Sequence, residues 1–342
     1  MRAVRFHAHG PPNELRVDEV ADAVPVNGGV VVRVRAAGVN HWDVDMRNGS
    51  SGLELRLPHT PGLEVAGDVV AIGAGVTGWS VGERVIPRFL WPCRRCEWCA
   101  AHQENHCARL RVLGATEPGG YSEYVVAPAS ELVRLPDGVS YEEGAALQCT
   151  YGPVWHALKS RLQLEAGTTI LINAAGSGVG SAGIQIAKLL GARIIASAGS
   201  DDKLAMAKAE GAEAIVNYRT DDLAERVRLV TDGKGVQAVL DCVGGHIFEA
   251  SIAVLAPVGR AVSLGAHAGV GVTVDLVSLF RAERSIIGSA NCTPFDIDTV
   301  IGLLAEKKIR PNVYKTYPLE NAALAHAELE ARRHYGKLLL MP

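Results

Sequence analysis

The segment "TTILINAAGSGVGSAGIQIAKLLGA" (168–192) decides the fold. Its first part, 168–174, is a short apolar run of strand character, and its last part, 181–192, has the composition and spacing of a helix. Glycines cluster between them. A strand, a glycine-rich turn and a helix in that order form the setting of a dinucleotide-binding turn. Glycine lets the backbone approach a pyrophosphate, and the helix N-terminus offers unpaired N–H groups and a favourable dipole. Counted from Gly176 and Gly178, the third place of G-x-G-x-x-G falls on Ser181. A literal G-x-G-x-x-G is read as absent, so the surrounding βαβ pattern carries the assignment. Ser177, Gly178, Val179 and Gly180 are the candidate phosphate-binding residues.

Downstream the alternation continues. "RIIASA" (193–198) is a second strand, and "KLAMAKAEG" (203–211) is a helix with Gly211 placed as its C-cap. "AIVNY", "VQAVLDCVG" and "GRAVSLG" are further strands. Strands alternating with helices imply a parallel sheet with right-handed crossovers. NAD sites carry Asp or Glu about 20 residues past the glycines, to bind the ribose hydroxyls. Here that zone reads "ASAGSDDK" (196–203), with Ala198, Gly199 and Ser200 where the acid is expected. Small neutral residues leave room for a 2′-phosphate, and Ser200, Lys203, Tyr218 and Arg219 are candidates to hold it. Gly265, closing "GRAVSLG", is assigned to the same cofactor site. NADPH is the expected cofactor. The alternative is NADH, with Asp201 taking the acidic role after a slip of one or two residues.

Upstream of about residue 150 the pattern differs. "GGVVVRVRAAGVN" (28–40) alternates Val with Arg and is expected to be a half-buried strand. "GLEVAGDVVAIGAGVTGWSVGERVIP" (62–87) is strand, turn, strand. This half is expected to be a mostly β domain built on a compact barrel. After about residue 291, "FDIDTVIGLLAEKKI" (295–309) is an amphipathic helix. "ENAALAHAELEARRHYGKLLLMP" (320–342) is a helix, a turn at Gly336 and a last strand.

A chain of 342 residues suits two domains better than one core. The net charge of −3 gives no reason to expect a nucleic-acid or anionic-membrane partner. No signal peptide is recognised at "MRAVRFHAHG", so a cytoplasmic protein is expected. Seven cysteines, an odd number, argue for reduced thiols and a metal over a disulfide framework. Cys93, Cys96, Cys99 and Cys107 follow C-x₂-C-x₂-C-x₇-C. Four thiolates saturate a tetrahedral zinc, which then has no open position for substrate, so the expected role is structural. An iron–sulfur cluster is the alternative.

The chain resembles the medium-chain dehydrogenase/reductase family, which covers zinc alcohol dehydrogenases and quinone oxidoreductases. The resemblance runs over "GVNHWDVDMRNG" (38–49), "PHTPGLEVAGDV" (58–69), "VGERV" (81–85), the cysteine lobe, "GGYSEYVVAP" (119–128), "NAAGSGVG" (173–180), "LDCVGG" (240–245) and "GKLLLMP" (336–342). It implies an α/β fold in which a Rossmann domain is inserted in a GroES-like β-barrel catalytic domain. The expected parts are 1–149 for the GroES-like domain with its zinc lobe at about 92–110, 150–290 for the Rossmann domain, and 291–342 returning to the first. A homodimer or homotetramer is implied as well.

In the alcohol dehydrogenases of this family a catalytic zinc is held by a Cys, a His and a second Cys. At the matching positions this chain has Asn40, Leu63 and Cys149. Leu cannot bind zinc, and a neutral carboxamide is a poor substitute for thiolate. His41 is one residue on from Asn40 and in an extended segment points to the opposite face. "GVNHWD", "ASAGSDDK" and "VNYRTDD" resemble the quinone oxidoreductase and enoyl reductase branch, which has no catalytic metal. The expected activity is therefore NADPH-dependent hydride transfer to a quinone or an α,β-unsaturated carbonyl, because charge delocalised onto a remote carbonyl can be stabilised by hydrogen bonds. The alternatives are an alcohol or aldehyde dehydrogenase with a rebuilt metal site, and a crystallin-like nucleotide- or RNA-binding protein with little catalysis. Asn40 is the candidate donor to the substrate carbonyl or the nicotinamide, against a turn-stabilising role. Asp43 is the candidate to orient Asn40 or relay a proton, against helix capping. Trp42, Trp91, Cys149 and Tyr151 are candidate pocket walls.

Overall fold

The structure, a computed structural model, describes residues 1–342 and divides into two compact units. One contains Met1–Cys149 and Thr293–Pro342, and the other contains Thr150–Cys292.

The inserted unit is built on a six-stranded sheet. Its order across the sheet is Ala214–Asn217, Arg193–Ala198, Thr169–Ile172, Val236–Asp241, Leu255–Ser263 and Ser285–Gly288, with every neighbouring pair parallel. In chain order this is 3-2-1-4-5-6, the arrangement of a dinucleotide-binding sheet. The strands are Val-, Ile- and Ala-rich because helices cover both faces, as a parallel sheet requires. Leu171, Ile195, Val239 and Ala261 form one side of its core with Ile247 and Phe248 of the helix Gly245–Ala253.

The helix after the first strand starts earlier than its sequence suggests. It runs Gly178–Leu189, not from 181, with the Ser177 hydroxyl capping it by accepting the Gly180 N–H at 3.0 Å. The close approach of the helix to the turn's own backbone falls on Gly180, where a Cβ would stand 2.6 Å from Ala175 Cα. The third fingerprint place is therefore Gly180 and not Ser181, which puts the first two on Ala175 and Ser177. A literal G-x-G-x-x-G does occur at Gly178, Gly180 and Gly183, but all three lie inside the helix itself.

The other unit is organised on a seven-stranded sheet. Six strands follow the order Val313–Pro318, Lys337–Met341, Gly29–Val39, Glu64–Ile72, Arg84–Pro87 and Leu132–Arg134, and Tyr124–Pro128 also pairs with Gly29–Val39. The strand Gly29–Val39 is not half-buried as its Val–Arg alternation suggests. Only Arg33 and Arg35 are exposed along it. It lies in the middle of the sheet with the short helix Tyr141–Ala145 packed on it, so both faces are covered and the alternation survives only at the two arginines.

Register sets the site. Leu338 pairs with Val39, and Gly38 pairs with Glu64. The ends of three adjacent strands therefore bring Lys337, Asn40 and Glu64 together, although Asn40 and Lys337 are 297 residues apart in sequence.

Candidate active site

Asn40 follows the strand Gly29–Val39 and is the N-cap of the helix His41–Asn48. Its own N–H donates to Asp43 Oδ2 at 2.9 Å, which fixes the first turn. Its carboxamide faces a buried ion pair. Lys337 Nζ donates to Asn40 Oδ1 at 2.5 Å and is paired with Glu64 Oε1. The second Glu64 oxygen accepts the Cys149 N–H at 2.9 Å. Glu64 is fully buried and Lys337 is 4% exposed, so each charge needs the other. Gly38 makes room for the pair: a Cβ there would stand 2.6 Å from Glu64 Cγ.

Asp43 is wholly enclosed. Besides the Asn40 N–H it accepts the Gly62 N–H at 3.0 Å and the Tyr121 hydroxyl at 3.4 Å. Burial pushes its carboxyl up to about 7, against the pull of the Gly62 and Asn40 N–H groups. Tyr121 in turn meets His326 Nε2 at 3.0 Å, and His326 Nδ1 meets Arg47 Nη1 at 3.4 Å. Arg47 is held by Glu330 at 2.6 Å. An arginine only donates, so Nδ1 of His326 accepts and Nε2–H donates to the Tyr121 oxygen. The Tyr121 hydroxyl then donates to Asp43. Burial, with the Arg47 charge beside it, pushes His326 down to about 3, so this imidazole stays neutral. All donors point toward Asp43, which makes it the anchor of the turn that carries Asn40.

The residues of the catalytic-zinc positions do not suit a metal. Leu63 is buried, Asn40 already accepts from an ammonium, and Cys149 is the only thiol among them. A divalent ion there would face the fixed Lys337 charge.

The four-cysteine lobe does suit one. The sulfur atoms of Cys93, Cys96, Cys99 and Cys107 all lie within 4.8 Å of one another. Cys96 Sγ stands 3.5 Å from Cys99 Sγ and 3.8 Å from Cys107 Sγ. Zinc–sulfur bonds of about 2.3 Å in a tetrahedron require about 3.8 Å. Backbone N–H groups support the thiolates: Cys93 N donates to Cys107 Sγ at 3.2 Å and Arg109 N at 3.4 Å. The four sulfurs would hold zinc and leave it no open face.

The other candidate pocket residues fall in different surroundings. Trp42 is half-buried on the helix after Asn40. Trp91 donates its indole N–H to Arg88 O at 2.5 Å and lies under the Arg111 guanidinium, at the base of the lobe. Tyr151 is buried and belongs to the inserted unit.

In the inserted unit the cofactor candidates lie past the C-terminal ends of several of its strands. The Lys203 stem lies across Gly176, where a Cβ would meet Lys203 Cγ at 2.7 Å. A Cβ on Gly199 would meet Arg219 Nε and Tyr218 Cε2, each at 3.0 Å. Ser200 stands at the N-cap position of the helix Asp201–Glu210, with no capping bond from its side chain. Gly265 follows the strand Leu255–Ser263, and its carbonyl accepts the Ser263 hydroxyl at 3.3 Å. Asp201 Oδ1 accepts Asn217 Nδ2 at 2.8 Å.

Lys337 and Glu64 are the functional candidates that sequence reasoning passed over. Glu64 stood next to the lost His position, and Lys337 stood in a stretch assigned only to a closing strand.

Two family models match the chain. The alcohol dehydrogenase GroES-like domain covers residues 26–137, and the zinc-binding dehydrogenase domain covers residues 178–306. A quinone oxidoreductase of Pseudomonas aeruginosa is 34% identical over 100% of this chain and 99% of its own length. An acryloyl-coenzyme A reductase of Metallosphaera sedula is 30% identical over 99% of each. A solved NAD-dependent alcohol dehydrogenase is 41% identical, with a TM-score of 0.96 and full coverage of both chains. No helix is long and apolar enough to cross a membrane. Fold, domain matches and full-length relatives agree: the chain is an oxidoreductase of the medium-chain dehydrogenase/reductase family.

Proposed function

We propose that the protein is an NADPH-dependent reductase of quinones or α,β-unsaturated carbonyls that works without a catalytic zinc. One observation supports this reading: Asn40 and the buried Leu63 stand at two of the positions matched to catalytic-zinc ligands, and the Asn40 oxygen accepts from Lys337, which is paired with Glu64. Bound NADPH supplies the hydride. The protein supplies the hydrogen bond. Asn40 Nδ2 has a single long contact, to Gly38 O at 3.5 Å, and so retains donor capacity for an acceptor carbonyl. In a conjugated acceptor the charge develops on that oxygen, remote from the carbon that takes hydride, and a fixed donor stabilises it. A simple ketone or alcohol concentrates the charge at the reacting carbon's own oxygen, where a metal does this work better.

The ribose end supports NADPH. Lys203 and Arg219 bring two cations to the end of the second strand, and Asp201 is engaged by Asn217. Arg219→Ala is expected to raise KM for NADPH about tenfold or more, by loss of a charge-assisted hydrogen bond, and to change KM for NADH less than about twofold. Equal losses with both cofactors would refute the phosphate assignment. A metal-assisted, NAD-dependent alcohol dehydrogenase is the second reading, favoured by the 41%-identical solved structure of that name. A panel of quinones, enals, enones and simple alcohols with both cofactors separates the two. Conjugated acceptors with NADPH are expected to dominate, and turnover of alcohols alone would overturn the reading.

The inserted sheet ends in the strand Ser285–Gly288, whose Ile286 is exposed, and Leu276 and Phe280 of the preceding helix Leu276–Arg281 are exposed too. These features support a homodimer or homotetramer that uses this edge. Light scattering on the native protein that reported a monomer would remove that part of the proposal.

A further inference from the structure

We propose that Lys337 is a positioning residue that turns the Asn40 carboxamide so that its N–H edge faces the substrate. This rests on the reading of Asn40 as donor to the acceptor carbonyl. A carboxamide presents an acceptor edge and a donor edge of nearly the same shape, and which of them faces outward is decided by its partners. An ammonium has three donors and no acceptor, so the Asn40 edge within 2.5 Å of Lys337 Nζ must be the oxygen. The Nδ2 edge is then directed away from Lys337, where its protein partner is the Gly38 carbonyl at 3.5 Å.

Lys337 cannot stray, because Glu64 holds it and Cys149 N–H holds Glu64. The lysine and glutamate charges cancel, so the pair offers the acceptor little net field. Its effect is transmitted through the orientation of Asn40. Both strand ends are needed: Lys337 opens the strand Lys337–Met341 and Glu64 opens the strand Glu64–Ile72, on either side of Gly29–Val39. A flipped amide would set its own N–H groups against the ammonium, and the acceptor would meet an oxygen lone pair in place of a donor.

A double-mutant cycle tests this. Lys337→Met alone strands a buried carboxylate, so the paired change Glu64→Gln/Lys337→Met is used, which removes both charges at nearly constant volume. Each protein is first shown to melt cooperatively. In the wild-type background the paired change is expected to lower kcat about tenfold or more, with KM for the acceptor changed less than about threefold. In an Asn40→Ala background the same change is expected to alter kcat less than about twofold, because the group it orients is gone. Lys337→Arg, which also offers only donors, is expected to retain most of kcat. Equal falls in kcat with and without Asn40, or no fall in either background, would overturn the proposal.

The cycle is read on whichever compound the wild type turns over. A wild type that oxidises alcohols and ignores enones removes the proposed substrate class and leaves the Lys337–Asn40 coupling to be read on the alcohol. Additive losses on an enone remove the role of Lys337 alone.

Discussion

Cys99→Ser is expected to abolish zinc binding and to lower the melting temperature by about 10 °C or more. Cys99 is buried, and its sulfur lies 3.5 Å from that of Cys96, so no water or neighbour can take its place. Burial pushes its thiol up to about 12, so the neutral form is favoured until a cation arrives. Structural zinc contributes on the order of 10 kcal/mol to the folding of small zinc domains, because the unfolded chain has no site for it. The lobe here is anchored to a larger domain, so only part of that is at stake. At about 2–4 °C per kcal/mol for a folding unit of roughly 150–250 residues, the size class of the unit that carries the lobe, a loss of several kcal/mol gives the stated shift. Chelation of the wild type should do the same. A Cys99→Ser protein that kept one zinc and an unchanged melt would show that the four sulfurs are not the metal site.

Asn40→Ala is expected to lower kcat for a conjugated acceptor by about 10²-fold, the usual consequence of losing one fixed donor to a developing oxyanion. The fold should survive, because the Asn40 N–H bond to Asp43 is made by the backbone and Lys337 remains paired with Glu64. Steady-state kinetics check this. A kcat within about threefold of wild type, in a protein that melts normally, would leave Asn40 as a turn residue only.

Much of the architecture is legible in local pattern. The parallel sheet follows from strands alternating with helices, and "RIIASA" matches its strand residue for residue. The zinc lobe follows from spacing, because its ligands are close in sequence. The fingerprint register was not legible: several glycines compete, and only the packing of Gly180 against Ala175 selects among them. The burial of Gly29–Val39 was hidden for a related reason. Alternation reports chemistry along one strand, whereas burial depends on neighbours from elsewhere in the chain. Lys337 is the clearest case. "GKLLLMP" reads as a closing strand, and nothing in it announces a buried ammonium. The partner of Lys337 is set by the pairing of Leu338 with Val39, a contact across most of the chain. Asn40 and Leu63 are legible as departures from a zinc-ligand pattern, whereas the Lys337–Glu64 pair beside Asn40 is not, because it forms only through strand register.

The most direct test is the zinc content of fully active protein, measured by elemental analysis against chain concentration. One tightly bound zinc per chain, with undiminished turnover of a conjugated acceptor, is the expected result. Two zincs per chain, with activity lost as the second is removed, would contradict a metal-free reaction site at Asn40 and Lys337.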